Sequence, residues 1–119
     1  YNLFYHYLFI IKFSDAKIPW ARNVLADFLV GIIVQRLVPT VDGEMVLAVE
    51  ILTPSPSAKA LIKEGRFAQL ESIIQTSKAE GMISLDRSLL DLAQKGKIPA
   101  AAALEQALDP KILKPLLRS

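Results

Sequence analysis

A single histidine and no cysteine among 119 residues narrow the chemistry this chain can perform. Without a thiol there is no cysteine nucleophile, no disulfide and no thiolate zinc site, a composition that fits a reducing compartment. His6 stands between Tyr5 and Tyr7 in an apolar opening run, with no second histidine to share a metal ion. It reads as a core side chain, and no metal site is expected. Glu44 and Glu50 lie six residues apart on a predicted strand, on one side of it if the strand is regular. A general acid/base pair there is conceivable, but solvated strand carboxylates are the commoner meaning of such a spacing. No catalytic residue is assigned.

The five glycines, Gly31, Gly43, Gly65, Gly81 and Gly96, are scattered, and none falls in a GxxxxGK[ST] arrangement. Gly65-Arg66 and Gly96-Lys97 each follow a helical run, the reverse of the order a phosphate loop needs. No nucleotide-binding residue is assigned. Lys59, Lys63 and Arg66 fall at i, i+4 and i+7, a basic stripe opposite Leu61 and Ile62. The stripe is a solvated helix face or a docking surface for a protein. No aromatic residue interleaves it for base stacking. With 14 basic against 12 acidic residues, the net charge of +2 gives little drive towards nucleic acid or an anionic membrane.

The elements that must position these residues follow from composition and periodicity. Hydrophobic residues make up 52% and mean hydropathy is +0.34, too apolar for disorder and enough for one domain with a modest core. The first residue is Tyr1, which reads as a processed product, a fragment or a protein whose start is missing. Seven of the nine aromatic residues lie in the first twenty positions, so residues 1–22 are set apart as an aromatic segment, an orphaned interface, and 23–119 as the main region. The apolar opening lacks the basic flank and cleavage site of a signal peptide and is too short to span a bilayer.

Val24, Leu25, Phe28, Leu29, Ile32 and Ile33 form one apolar stripe at helical spacing, predicting a helix through Ile33. Val34–Thr40 and Glu44–Leu52 are rich in branched residues and flank Asp42-Gly43, a pair suited to the positive φ angles of a tight hairpin turn. Thr53-Pro-Ser-Pro-Ser57 then breaks the strand and offers serine caps. Four short helices follow. The first ends at Gly65. The second carries Leu70, Ile73 and Ile74 and ends near Gly81. The third is capped by Ser84 and ends at Gly96, and the fourth is opened by Pro99 and stopped by Asp109-Pro110. Ile112, Leu116 and Leu117 add one last turn. The fold class expected is α+β, a β-hairpin with a predominantly helical C-terminal bundle.

Leu25 to Leu37, Asp42-Gly43 with Val46 to Leu52, Leu61 to Gly65, and Ile74 to Leu89, in this order, resemble the C-terminal end of the hexameric ATPases that drive type IV pili and type II secretion. Leu25-Ala-x-x-Leu-x-Gly-Ile-Ile-x-Gln-Arg-Leu37 is similar to the family's LxxxLxGVISQxL, and Asp42-Gly43 with Val46-x-Ala-x-Glu-Ile-Leu52 to its DGxGRVAAxEIL. Leu61-Ile-Lys-Glu-Gly65 resembles the LIREGK end of the signature helix. Ile74-Gln-Thr76, Gly81-Met82 and Leu85-Asp86-x-Ser-Leu89 resemble IQTG…GMQTMDxSL. The family's AIRNLIRE falls on Ser57 to Glu64, with Lys59 and Lys63 in place of its arginines and Ala60 in place of its asparagine. Relatives in pilus assembly and secretion often carry a four-cysteine zinc insertion near this hairpin. Arg36-Leu-Val runs straight through the turn to Val46 here, which favours the pilus-retraction branch.

The resemblance implies the C-terminal part of a RecA-like motor domain that contributes subunit packing and mechanical coupling. Lys59, Leu61, Ile62, Lys63, Glu64 and Gly65 are the coupling residues it implies. ATP and Mg belong to the complete parent ATPase, bound upstream of this chain, which is expected to be inactive alone. The implied partners are that nucleotide-binding core, neighbouring subunits of a hexamer and inner-membrane pilus machinery. The implied location is the bacterial cytoplasm, peripheral to the inner membrane. Two other classes compete: a free-standing helical adaptor binding a protein through Leu61, Ile62 and the basic stripe, and a helical DNA-binding domain, which the near-neutral charge disfavours.

Overall fold

The structure, a computed structural model, describes residues 13–117. His6 and the first twelve residues of the aromatic opening segment lie outside the described residues. After a 3-10 turn at Asp15–Lys17 the order is α1 (Ile18–Phe28), β1 (Ile32–Pro39), β2 (Met45–Leu52), α2 (Pro56–Glu64) and α3 (Phe67–Thr76). A second 3-10 turn at Lys78–Glu80 leads into α4 (Leu85–Gln94), α5 (Ala100–Gln106) and α6 (Pro110–Leu117). The fold is α+β, a two-stranded antiparallel hairpin among helices. The division expected after residue 22 falls inside α1.

The first helix is shorter than its apolar stripe. It stops at Phe28, Leu29 is extended, and Ile32 and Ile33 belong to β1, where they face Leu52 and Ile51. Gly31 is a poor helix former, and the branched run Ile32-Ile33-Val34 packs better on a pleated surface than in a helix. The buried face of α1 is therefore Ala21 and Ala26, with Leu25 and Leu29 half-buried, while Phe28 is 78% exposed.

The hairpin forms where the branched residues predict it, but its turn has a different geometry. The Thr40 N–H donates to the Glu44 carbonyl at 2.8 Å, and the Gly43 N–H donates to the Thr40 carbonyl at 3.2 Å. Within the turn only Gly43 takes a positive φ, +84°, and no described residue other than glycine does so. The connection is a three-residue loop closed by a left-handed glycine, so Asp42 keeps an ordinary conformation.

Two apolar clusters lie along one face of the hairpin. Ala26, Leu52, Ala58, Ile62, Leu70, Ile74 and Met82 form one; Val38, Ala48, Leu85, Leu89, Ile98 and Leu113 are in the other. Strand β2 supplies both, because Ala48 and Leu52 point the same way four residues apart. Glu50 lies between them on that face, only 4% exposed, and its Oε2 accepts the Leu85 N–H at 3.1 Å. Leu85 opens α4, so the carboxylate meets the positive end of that helix. The neighbouring residues seal the same edge of β2. The Val49 N–H donates to Ser88 Oγ at 3.1 Å, and Ile51 exchanges both backbone hydrogen bonds with Ile83 at 2.8 and 3.1 Å.

Two of the helices after the hairpin start at the serine caps the sequence offers, and α5 ends at Gln106, ahead of the expected stop at Asp109-Pro110. Ser55 Oγ accepts the Ala58 N–H ahead of Pro56, and Ser84 Oγ accepts the Arg87 N–H. The second helix after the hairpin, α3, stops earlier than expected, at Thr76, and the 3-10 turn covers the rest of the way to Gly81. Pro99 is the residue before α5 rather than inside it. The last segment is a full helix of eight residues, not a single turn. Asp86 ties it down: its two carboxylate oxygens accept the Leu108 and Asp109 N–H groups at 2.7 and 3.0 Å.

Removing the Glu50 carboxylate leaves a helix N–H buried without its acceptor. Glu50→Ala is therefore expected to lower the unfolding free energy by about 3 kcal/mol. Glu44→Ala, at an exposed turn, is expected to change it by less than about 0.5 kcal/mol. Urea denaturation of the two variants measures both, and equal effects would contradict the assignment.

Candidate functional site

The basic helix singled out by spacing is α2, and the sequence around it explains its limits. Ser55 and Pro56 start it, and Gly65 ends it in a left-handed conformation, φ +70°. The Gly65 and Arg66 N–H groups return to the Ile62 and Leu61 carbonyls at 3.1 and 2.9 Å, closing the last turn. The six residues expected to act together divide between two environments. Ile62 is buried in the first cluster beside Ala58, and Leu61 packs half-buried against it. These two hold the helix in place. Lys59, Lys63 and Glu64 point outward to differing degrees.

The basic stripe is largely neutralised inside the chain. Lys63 Nζ lies 3.1 Å from Asp27 Oδ1 on α1, and Arg66 lies 3.1 Å from Glu64 Oε2. Both pairs are about half exposed, so each adds little stability, but each compensates a cation that an external partner would need. Lys59 makes no ion pair among the described residues.

Arg22, which no periodicity singles out, is the closest neighbour of the helix end. Its guanidinium occupies the space a side chain on Gly65 would take, with NH1 and NH2 each 2.7 Å from where a Cβ would stand. It also lies 6.0 Å from the centre of the Phe67 ring. A cation beside the last carbonyls of α2 is favourably placed against the helix dipole. Its Nε is buried without a hydrogen-bond partner. Asp27 and Arg22 thus fasten α1 to α2, one through Lys63 and one over Gly65.

The structure separates the two carboxylates that the sequence spacing paired. Glu44 is exposed in the turn and Glu50 is buried against Leu85, so the two carboxylates do not form an acid/base pair. Gly65 and Gly81 follow helical turns, and Gly96 lies just past the end of α4. Helix ends of that polarity present carbonyl oxygens, which repel phosphate. None of these three glycines forms a phosphate-binding turn. Among the described residues, no three His, Asp or Glu side chains gather to hold a metal ion. None of the described helices is long and apolar enough to cross a membrane.

Comparison with known proteins gives consistent relatives. No family model matches the chain. A twitching motility protein of Neisseria gonorrhoeae is 38% identical over 96 residues, which is 80% of this chain and 26% of that protein. The type IV pilus retractation ATPase PilT of Pseudomonas aeruginosa is 38% identical over 90 residues, 76% of this chain and 26% of its own. The chain thus spans about a quarter of the length of these curated relatives. Among solved structures, the pilus retraction motor PilT with bound ADP superposes with a TM-score of 0.83 at 31% identity. The match covers 95% of this chain and 31% of that one.

The contact at Gly65 is testable. Gly65→Ala is expected to cost about 1–3 kcal/mol, from the left-handed backbone and the displaced guanidinium together. In the Arg22→Ala background the same substitution is expected to cost less, because only the backbone strain remains. A double-mutant cycle by urea denaturation measures the difference. Strict additivity would show that Arg22 does not press on Gly65.

Proposed function

We propose a mechanical function for this chain, which belongs to the type IV pilus and type II secretion ATPase family and matches the C-terminal region of its pilus-retraction branch. The observation that carries the proposal is a surface built for burial and left open. On the outer face of the hairpin Ile33 is 63% and Leu37 59% exposed, and Met45 and Leu47 stand on the same face. Among the described residues β1 pairs only with β2, so its second edge offers backbone groups to a further strand. Trp20, Val24 and Phe28, at i, i+4 and i+8, give α1 an exposed apolar stripe as well. So much apolar surface suits an interface.

In this reading the nucleotide-binding core, supplied by the rest of a longer protein, covers the outer sheet face. ATP and Mg act there. Helix α2, anchored by Ile62 and fastened to α1 by Arg22 and the Lys63–Asp27 pair, passes the closure of that core to neighbouring subunits of a hexamer or to inner-membrane pilus machinery. Lys59 is the outward contact of that coupling, Lys63 braces the helix against α1, and Gly65 fixes the helix end. The motor works on the cytoplasmic side of the inner membrane. The adaptor reading draws less support, since Ile62 is in the core and two of the three stripe cations have partners in the chain.

Incubation of the isolated chain with ATP and Mg measures whether the chemistry lies elsewhere. No phosphate release and no nucleotide binding are expected, and clear metal-dependent turnover would sink the proposal. Replacing Ile33 and Leu37 together by Asp is expected to reduce self-association in gel filtration while leaving the urea midpoint within the range of surface changes, about 0.5 kcal/mol. A collapse of stability would mean that this face is core rather than interface.

A further inference from the structure

The backbone hydrogen bonds of the hairpin show which residues of β1 face its open edge. Ile51 exchanges both its backbone hydrogen bonds with Ile83, and the Val49 N–H donates to Ser88 Oγ, so these residues of β2 turn their polar groups away from β1. Alternation leaves Ala48, Glu50 and Leu52 to bond with Arg36, Val34 and Ile32. Ile33, Gln35 and Leu37 therefore direct their N–H and carbonyl groups to the far side of β1, where no strand pairs among the described residues. All three are exposed. Pro39, next in the series, has no N–H to offer and ends the run. Edge strands are commonly guarded by charged side chains. This face has none: Ile33, Gln35, Leu37 and Pro39 stand opposite Ile51, Val49, Leu47 and Met45.

The run is self-complementary. About Gln35 it reads alike in both directions, with a branched aliphatic residue two places away on either side. We propose that the open edge of β1 takes the same edge of a second copy of this chain, antiparallel about a two-fold axis at Gln35. Each Gln35 then exchanges both backbone hydrogen bonds with the other Gln35, and Ile33 does so with Leu37 of the second copy. The side chains match like with like, an amide pair between two aliphatic pairs. The nearest symmetric registers set Gln35 against Ile33 or against Leu37, an amide against an apolar side chain. On the inner face Arg36 comes opposite Val34 of the second copy, so no like charges meet directly. The other edge of the hairpin is already closed by Ile83 and Ser88, so the assembly stops at two. This pairing goes beyond the mechanical function, which assigns the outer sheet face to the rest of a longer protein; the edge is a separate surface of the free chain.

The joint involves one strand from each copy, so it is weak, with half-association at about 100 µM and an open, monomeric edge at about 1 µM. Sedimentation velocity over that range reads the mass, which is expected to rise from 13.1 kDa towards twice that value. Gln35→Pro removes an N–H from the open edge and none from the hairpin, and it leaves Ile33 and Leu37 in place. It is expected to weaken association about tenfold. The chain has no cysteine, so Gln35→Cys adds a single thiol at the axis. Paired Cα atoms about 5.5 Å apart suit a disulfide. Mild oxidation at high concentration is expected to link Gln35→Cys chains in pairs and to leave Leu47→Cys, on the same face but off the edge, mostly unlinked. Circular dichroism checks the fold of each variant, and if Gln35→Pro does not fold the two cysteine variants decide. The proposal is overturned if the chain stays at 13.1 kDa throughout, if it grows beyond a dimer, if Gln35→Pro associates as well as the parent, or if Leu47→Cys links as readily as Gln35→Cys. A monomeric chain leaves the mechanical function standing, whereas ATP turnover by the free chain removes that function and leaves the pairing intact.

Discussion

The structure depends on one buried carboxylate. Ala48, Glu50 and Leu52 share a face of β2, and the two apolar residues belong to different clusters. A continuous apolar stripe would merge them. Glu50 separates them and turns its carboxyl group to the first N–H of α4, at the positive end of that helix. That contact fixes where α4 starts against the strand. The Ser88 hydroxyl and the Ile83 bridge then fall into place on the same edge. Asp86, on the first turn of α4, carries the register on to the start of α6. Helices that look independent in sequence are set from one strand through a short run of polar contacts.

The opposite face of the hairpin has a complementary logic. The inner face is closed by the chain itself, whereas the outer face, with Ile33, Leu37, Met45 and Leu47, is apolar and open. A strand apolar on both faces is the pattern of a sheet buried on both sides. The chain supplies one covering layer, and the matched stretch is only 26% of the length of each of these relatives. Helix α2 lies on the covered side, braced by Arg22 over Gly65 and by Asp27 against Lys63.

Much of this was legible in residues with strong local rules. Gly65, Ser84 and the Asp109-Pro110 stop act through backbone geometry that no distant contact overrides, and the helices end or begin there. The hairpin was legible from its branched strands and from Gly43. The end of α1 was not, because Ile32 and Ile33 satisfy both a helical and a strand pattern, and only pairing with β2 decides between them. The role of Glu50 was hidden for a similar reason. Its spacing from Glu44 suggested a surface pair, whereas its partner is a backbone N–H 35 residues further on. The contact of Arg22 with Gly65 is a product of packing between elements and leaves no periodic trace.

The central claim is that the open hairpin face is an interface with the nucleotide-binding part of a longer motor. Amide hydrogen exchange along β1 tests it most directly, comparing the free chain with a chimera. In the chimera, residues 25–117 replace the matching region of the Pseudomonas aeruginosa ATPase. The account predicts that the β1 amides exchange rapidly in the free chain and become strongly protected in the chimera, while the buried Leu85 amide is protected in both. Equal exchange along β1 in the two proteins would contradict it.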